Sequence, residues 1–360
     1  MEKTKIKIYF VLVTLLVSIL LGNLYINRVS LPNFDQRTAL VNDVLKGKTK
    51  ADYLYSMYTI ALVYKFLTVN LFLNPHWIFP LIDFLGIIFL CLCAYWFLIR
   101  LFHNPYSWYS GLIWLFATSP LLFKRHWYHP SDFYGTGLMF LILISAKEQK
   151  YWRMAILCFI SGFLWEKVLF VPLIFFLYQI RIFGKLNSLS SQRLLRPLRD
   201  IFLFISRREH RDTVENAYML PLSAQMNINK IKRAIITTLP SIIATLLWYI
   251  FWRVSFPGAY REYKPWQEFL YRLEEGLSDW ILWLMPIGII IFDKFLNKRR
   301  LDSFWFYWLL YLPILIAIIV NFRGWIDELR SFWILQPIFI GLIGNWVGKI
   351  LIQKSEKVTS

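Results

Sequence analysis

Two aspartates could do acid–base work in this chain. Asp35 stands about ten residues past an apolar run at 8–24, and Asp132 opens another apolar run about a hundred residues later. A carboxylate so placed can take the proton from an attacking hydroxyl. Arginines near both could hold a departing phosphate by paired hydrogen bonds. Three polar clusters fall between apolar runs: Asp35 with Arg37; Arg125, His126, His129 and Asp132; and Arg323, Asp327, Glu328 and Arg330. Singly, each reads as interfacial anchoring, and Asp35 alone as a solvated acid in a loop. Together, each beside a helix end, they suggest one shared cavity, because ionisable groups near membrane depth are usually functional or paired. The chemistry suited to it is transfer from a phosphate-linked lipid. Arg330, at the start of the last apolar run, is placed to bind the phosphate; its plain alternative is a loop salt bridge to Asp327 or Glu328. Lys167 interrupts an apolar run beside Glu166, as a self-neutralising pair or a second phosphate contact. Asp83, inside an apolar run, reads as the partner of a buried cation or a second acid of the cavity. His129 reads as a hydrogen-bonding residue at headgroup level. His126, His129 and Asp132 have a spacing that could ligate a divalent cation, with no further ligand identifiable. No metal or other cofactor is otherwise implied.

The elements that must position these residues are helices in a membrane. Of 360 residues, 58% are hydrophobic, 19% aromatic and only 17% charged, against about 25% charged in soluble domains. Mean hydropathy is +0.48. Continuous rather than alternating apolar runs argue against a barrel, and several reach the roughly 20 residues that cross a bilayer. The expected fold class is all-α, a polytopic bundle of about ten spans. The net charge of +18 would suggest nucleic acid in a soluble protein. Here it falls mostly in segments placed on the cytoplasmic side, so anionic lipid is the expected partner and nucleic acid is not. Cys91, Cys93 and Cys158 lie in apolar runs and read as small buried hydrophobes. There is no Walker lysine motif, GxGxxG or HExxH.

Span 1 is 8–24, with Lys3, Lys5 and Lys7 inside. A long outer segment, 25–77, holds Asp35, then Ala39, Leu40, Val44 and Leu45 at helical spacing, ended by Lys46-Gly47. Its tyrosine-rich stretch 53–72 reads as an interfacial helix, because a crossing there would put Asp35 and Asp132 on opposite sides. Spans 2 to 4 are 78–99, 106–123 and 133–146; spans 5 and 6 share 154–180, which could also be one tilted helix. Residues 181–233 form a basic cytoplasmic insert with eleven Lys or Arg against four Asp or Glu. Its Arg193, Arg196 and Arg199 suggest a membrane-surface helix or an ordinary basic loop. A C-terminal transmembrane module, 234–360, holds spans 234–254, 278–293, 303–321 and 331–350.

The order of parts resembles the GT-C glycosyltransferases, polytopic users of polyprenyl-phosphate sugars related to protein mannosyltransferases and aminoarabinose transferases. The resemblance covers roughly residues 8–180, within an expected catalytic module of 1–180. Asn33-Phe-Asp-Gln-Arg matches the acid of the first outer loop. Tyr53-Leu-Tyr-Ser-Met-Tyr resembles the surface helix that follows, without its prolines. Ala117-Thr-Ser-Pro, Asp132-Phe-Tyr-Gly and Ser161-Gly-Phe-Leu-Trp-Glu-Lys fit the next spans in order. Spans 7–10 match in outline only, and the large C-terminal outer domain of many members is missing. The resemblance implies an inverting transferase with Asp35 as base and Asp132 as second acid. Arg37, Arg125, His129, Lys167, Glu328 and Arg330 are the candidate substrate-binding residues. It leaves sugar, acceptor and metal open. The expected donor is a polyprenyl-phosphate-linked sugar, and the expected location a bacterial inner (plasma) membrane, multi-pass, with both termini cytoplasmic. The rivals are a polymerase of lipid-linked polysaccharide repeat units and a non-enzymatic lipid or glycan translocase.

Overall fold

The computed structural model describes residues 2–47, 51–123, 131–164, 171–172, 175–176, 179, 228–256, 281–293, 302, 304–305, 308–309, 312 and 335–359. Among the described residues the chain is helical throughout, with no strand. The helices are α1 (Glu2–Tyr25), α2 (Phe34–Leu45), α3 (Ala51–Asn70), α4 (Pro75–Leu101), α5 (Pro105–Phe123), α6 (Ser131–Lys147) and α7 (Tyr151–Gly162). They are followed by α8 (Ile228–Ser255), α9 (Ile281–Asp293) and α10 (Gln336–Thr359). A π-helical turn, Ile26–Ser30, prolongs α1.

Three of these are long and apolar enough to cross a membrane: Thr4–Ser30, Pro75–Leu101 and Ala234–Trp252. Their outer faces stay apolar. α1 exposes Ile8, Leu12, Leu16 and Ile19, and α8 exposes Ile236, Ile243, Leu247 and Val254. Contiguous apolar surface of this extent is a liability in water and ordinary in hydrocarbon, which fits a membrane-embedded chain.

Side-chain contacts fix the helix directions. Phe10 meets Tyr95 and Gly22 meets Phe84, so α1 and α4 are antiparallel. Phe10 meets Trp108 and Tyr25 meets Phe123, so α1 and α5 are parallel. Phe89 with Tyr134 and Phe97 with Phe140 set α4 parallel to α6. Cys158 beside Ser241 and Gly162 against Trp248 set α7 parallel to α8. Trp283 on Phe339, with Asp293 accepting from Trp346, sets α9 parallel to α10. Thr118 with Gln336, and Ser107 beside Gly348, set α5 antiparallel to α10.

The end of α1 and the first third of α4 therefore lie at one end of the bundle. The segment between them makes no net crossing. Within it, α2 ends at Lys46, and Gly47 follows with φ +66°, a left-handed turn that favours glycine. α2 packs Val41 and Val44 on Met57, Ile60, Ala61 and Tyr64 of α3, whose opposite face exposes Leu62, Val63, Phe66 and Val69. The 57, 60, 61, 64 spacing is one helical stripe. Trp248 and Trp252 of α8 complete this second core, and the Thr59 hydroxyl donates to the Phe163 carbonyl at 2.7 Å.

The main core joins α1, α4, α5, α6 and α10. It closes around Gly341, where an added Cβ would overlap the buried Trp305 ring. Gly341→Ala is expected to lower stability by about 1–3 kcal/mol through overpacking. The check is thermal unfolding in detergent, in which Trp305→Phe should recover part of the loss.

The opposite end of the bundle carries paired charge. Lys147 reaches Asp302 at 3.2 Å and lies 5.7 Å from the Trp305 ring centroid. Glu148 accepts from Arg100 and forms an ion pair with Lys150 at 2.7 Å. Burial pushes the Glu148 carboxyl up, but these cations outweigh it and hold its pKa below the usual carboxylate value. A lowered carboxyl pKa gives stability that is complete above the unfolded value, about 4.3, and is lost as pH falls through the folded one. Arg100 is half exposed, so the pair is worth about 0.2–1 kcal/mol. Melting of the wild type and of Glu148→Gln should differ at pH 7 and converge at pH 3.

Candidate functional site

The site is built at the other end, where α1 finishes. Tyr25 is the last residue of α1, fully buried. The chain then widens into the π turn, closed by Leu31 N–H donating to the Ile26 carbonyl at 3.0 Å. This turn buries Val29 and Ser30. α2 begins at Phe34, and its first two turns carry both Asp35 and Arg37. Residues two apart on a helix point to nearly opposite faces. Asp35 is exposed, and Arg37 is wholly buried.

Arg37 faces Asp83 of α4 at 2.5 Å, and neither side chain is exposed. It also donates to the Tyr25 hydroxyl at 2.9 Å and to the Ser30 hydroxyl at 3.3 Å. Its guanidinium lies 5.6 Å from the Phe79 ring centroid. Burial works against its charge. Asp83 and then Tyr25 outweigh that, so its pKa lies above the ordinary arginine value. Such a pair is costly to desolvate and costlier to break. It fixes the roll of α2 about its axis and so the direction in which Asp35 leaves the bundle.

Asp132 lies in the first turn of α6, 4% exposed, where a carboxylate complements the helix dipole. It is close enough to Tyr25 to interact with it electrostatically. Phe133 and Phe123 stack edgewise on the Tyr25 ring at 4.8 and 4.9 Å. One buried tyrosine thus touches Arg37, lies within electrostatic reach of Asp132 and packs against two phenylalanine rings. On α6, the Tyr134 hydroxyl donates to the Ile82 carbonyl at 2.8 Å, which pins the start of α6 to the turn of α4 that carries Asp83.

Of the residues proposed from the sequence, Arg37 and Asp132 meet this one cluster, and Asp35 stands outside it on the helix that Arg37 anchors. Arg125, His126, His129, Lys167, Glu328 and Arg330 lie outside the described residues. Asp83 does meet a buried cation, and the cation is Arg37, whose own surroundings are protein groups rather than open surface. Tyr25 and Ser30 give no sequence signal, because the apolar run ends at 24, before the π turn. Among the described residues no group of three His, Cys, Asp or Glu is placed to hold a metal.

No protein-family model matches this chain, and comparison with curated proteins and with solved structures finds no match to either.

Proposed function

We propose that this chain is a multi-pass membrane glycosyltransferase of the GT-C type, which moves a sugar from a polyprenyl-phosphate donor to an acceptor hydroxyl on the extracytoplasmic face. The observation that carries the reading is the Arg37–Asp83 lock. It ties the helix bearing exposed Asp35 to the same buried cluster that Asp132 reaches through Tyr25. Two acids 97 positions apart are thereby joined to one end of the bundle.

The helix directions support ten crossings. α1, α5, α7 and α8 run toward the Asp83 end, and α4, α6, α9 and α10 run away from it. A ten-span chain whose α2 and α3 lie at the interface has this pattern. Lys3, Lys5 and Lys7 in the first turns of α1, with Arg100, Lys147, Lys150 and Lys349, collect at the far end, which the positive-inside rule makes cytoplasmic. Both termini then face the cytoplasm of a bacterial plasma membrane.

In this mechanism Asp35 takes the acceptor proton. The acceptor oxygen forms a bond to the anomeric carbon from one side, and the carbon–oxygen bond to phosphate breaks on the other. Polyprenyl phosphate leaves with the electron pair. Arg330 and Lys167 hold its oxygens, with Arg125, His129 and Glu328 around the donor and Asp132 as the second acid. Arg37 acts as a positioning residue.

The test is transfer from radiolabelled polyprenyl-phosphate sugars in proteoliposomes. Label leaving the lipid for an acceptor, one sugar at a time, is the expected result. Chain-length ladders from diphosphate-linked repeat units would replace the reading with a polymerase. Donor that crosses the bilayer chemically intact would replace it with a translocase.

A further inference from the structure

The surface between α3 and α4 is apolar where a connection is ordinarily polar. Lys65 is the single charged residue between 53 and 82. α3 buries Ile60, Ala61 and Tyr64 on one face and exposes Leu62, Phe66 and Val69 on the other. A helix apolar on both faces belongs in the interior of a protein or of a membrane. Just past its end Leu71, Phe72 and Leu73 are all exposed, Phe72 by 88%. The Leu73 N–H donates to the Leu67 carbonyl at 3.3 Å, and Phe72 turns the chain with φ +50°. Glycine or asparagine ordinarily takes that left-handed position after a helix, because a bulky side chain is crowded there. One residue thus carries both a crowded backbone and a bare ring, and water rewards neither.

Gln149 is the other non-glycine residue with positive φ among the described residues. It is polar and sits in the turn between α6 and α7, at the end of the bundle that carries paired charge. The same backbone conformation holds an amide there and a phenyl ring at the Asp83 end. α4 then continues the exposed apolar surface with Trp77, Leu81 and Leu85, spaced four apart on a helix long and apolar enough to cross a membrane. In a membrane that outward face meets hydrocarbon. Trp77, 67% exposed, stands in the first turn of α4, where tryptophan marks the headgroup level. Lys65 is exposed on the same arc of α3 as Leu62, Phe66 and Val69. Its stem can lie along that apolar surface while the ammonium reaches the headgroups.

We infer that the Leu71–Leu73 turn and the outward face of α3 are sunk among the acyl chains of the extracytoplasmic leaflet, as an in-plane anchor. The partner is lipid and not protein, because this surface continues the outward stripe of α4 and offers a partner a single charge. α2 rests on the inward side of α3 through Val41 and Val44, so the depth of the anchor sets the height of Asp35 above the bilayer. The choice of leaflet rests on the orientation proposed above, and the anchor itself does not depend on sugar transfer.

The experiment uses the full chain in nanodiscs of phosphatidylcholine and phosphatidylglycerol. Phe72→Cys, Val69→Cys and Gln149→Cys each take a nitroxide label; the native cysteines are buried. Electron paramagnetic resonance compares collisions of the label with oxygen, which concentrates in hydrocarbon, and with a water-soluble nickel chelate. Labels at positions 72 and 69 should favour oxygen and read about 5–10 Å below the headgroups. The label at position 149 should favour nickel. Nickel contact at positions 72 and 69 equal to that at position 149 puts the surface in water and overturns the inference. Shielding from both reagents overturns it as well: with dipolar broadening between labels a second copy covers the surface, and without broadening another part of this chain does. A sunken turn in a protein that transfers no sugar keeps the anchor and removes the transferase reading. Sugar transfer with a wet turn does the reverse.

Discussion

Asp83→Ala is expected to destabilise the protein by about 3–5 kcal/mol, the typical cost of stranding one charge of a buried ion pair. Arg37 would remain wholly buried, with the neutral Tyr25 and Ser30 hydroxyls still on its guanidinium. Neither neutralises it. Melting in detergent should show a large drop and a broader transition. The reciprocal Arg37→Ala should cost a similar amount, since Asp83 would keep a buried carboxylate with no cation. The informative variant is the double one, Arg37→Leu with Asp83→Leu. A buried pair replaced by apolar residues of similar volume is often neutral or stabilising, so most of the stability should return. Transfer activity should not, because the lock that sets the roll of α2 is gone. A double variant as active as the wild type would show that the pair serves packing alone.

Asp35→Asn should lower kcat by about 10²- to 10⁴-fold, the usual worth of a general base. It should leave the melting curve within about 0.5 kcal/mol of the wild type, as for ordinary surface substitutions, because Asp35 is exposed. Asp132→Asn separates from it on stability. Asp132 is 4% exposed in the first turn of α6, so removing its charge should lower both transfer and melting temperature. Equal, unimpaired transfer in Asp35→Asn would remove the proposed base and with it the mechanism.

The helices were legible because a long continuous apolar run has few other meanings. The expected 78–99, 106–123 and 133–146 lie within α4, α5 and α6, each of which runs one to three residues further at an end. The end of α2 was legible at Lys46-Gly47 because the turn needs a left-handed glycine. The partner of Asp83 was not. Arg37 lies 46 residues away in a segment of mixed polarity, and beside Asp35 it reads as half of a surface pair. Only its register on α2, set by Val41 and Val44 packing inward, turns it into the bundle. Gln336 was passed over for a similar reason. A single amide at the edge of an apolar run carries no period, and its tie to Thr118 spans 218 residues. Sequence patterns report what repeats along the chain; this cluster is built from residues that do not.

The π turn at Ile26–Ser30 makes chain length itself a specification. It takes one residue more than an α turn for the same advance, and that surplus is what swings Ser30 inward to meet Arg37. Dropping a single residue there, even exposed Arg28, would restore ordinary winding and rotate everything upstream of α2 by roughly 100° against it. Substitutions in this turn should therefore be tolerated far better than deletions.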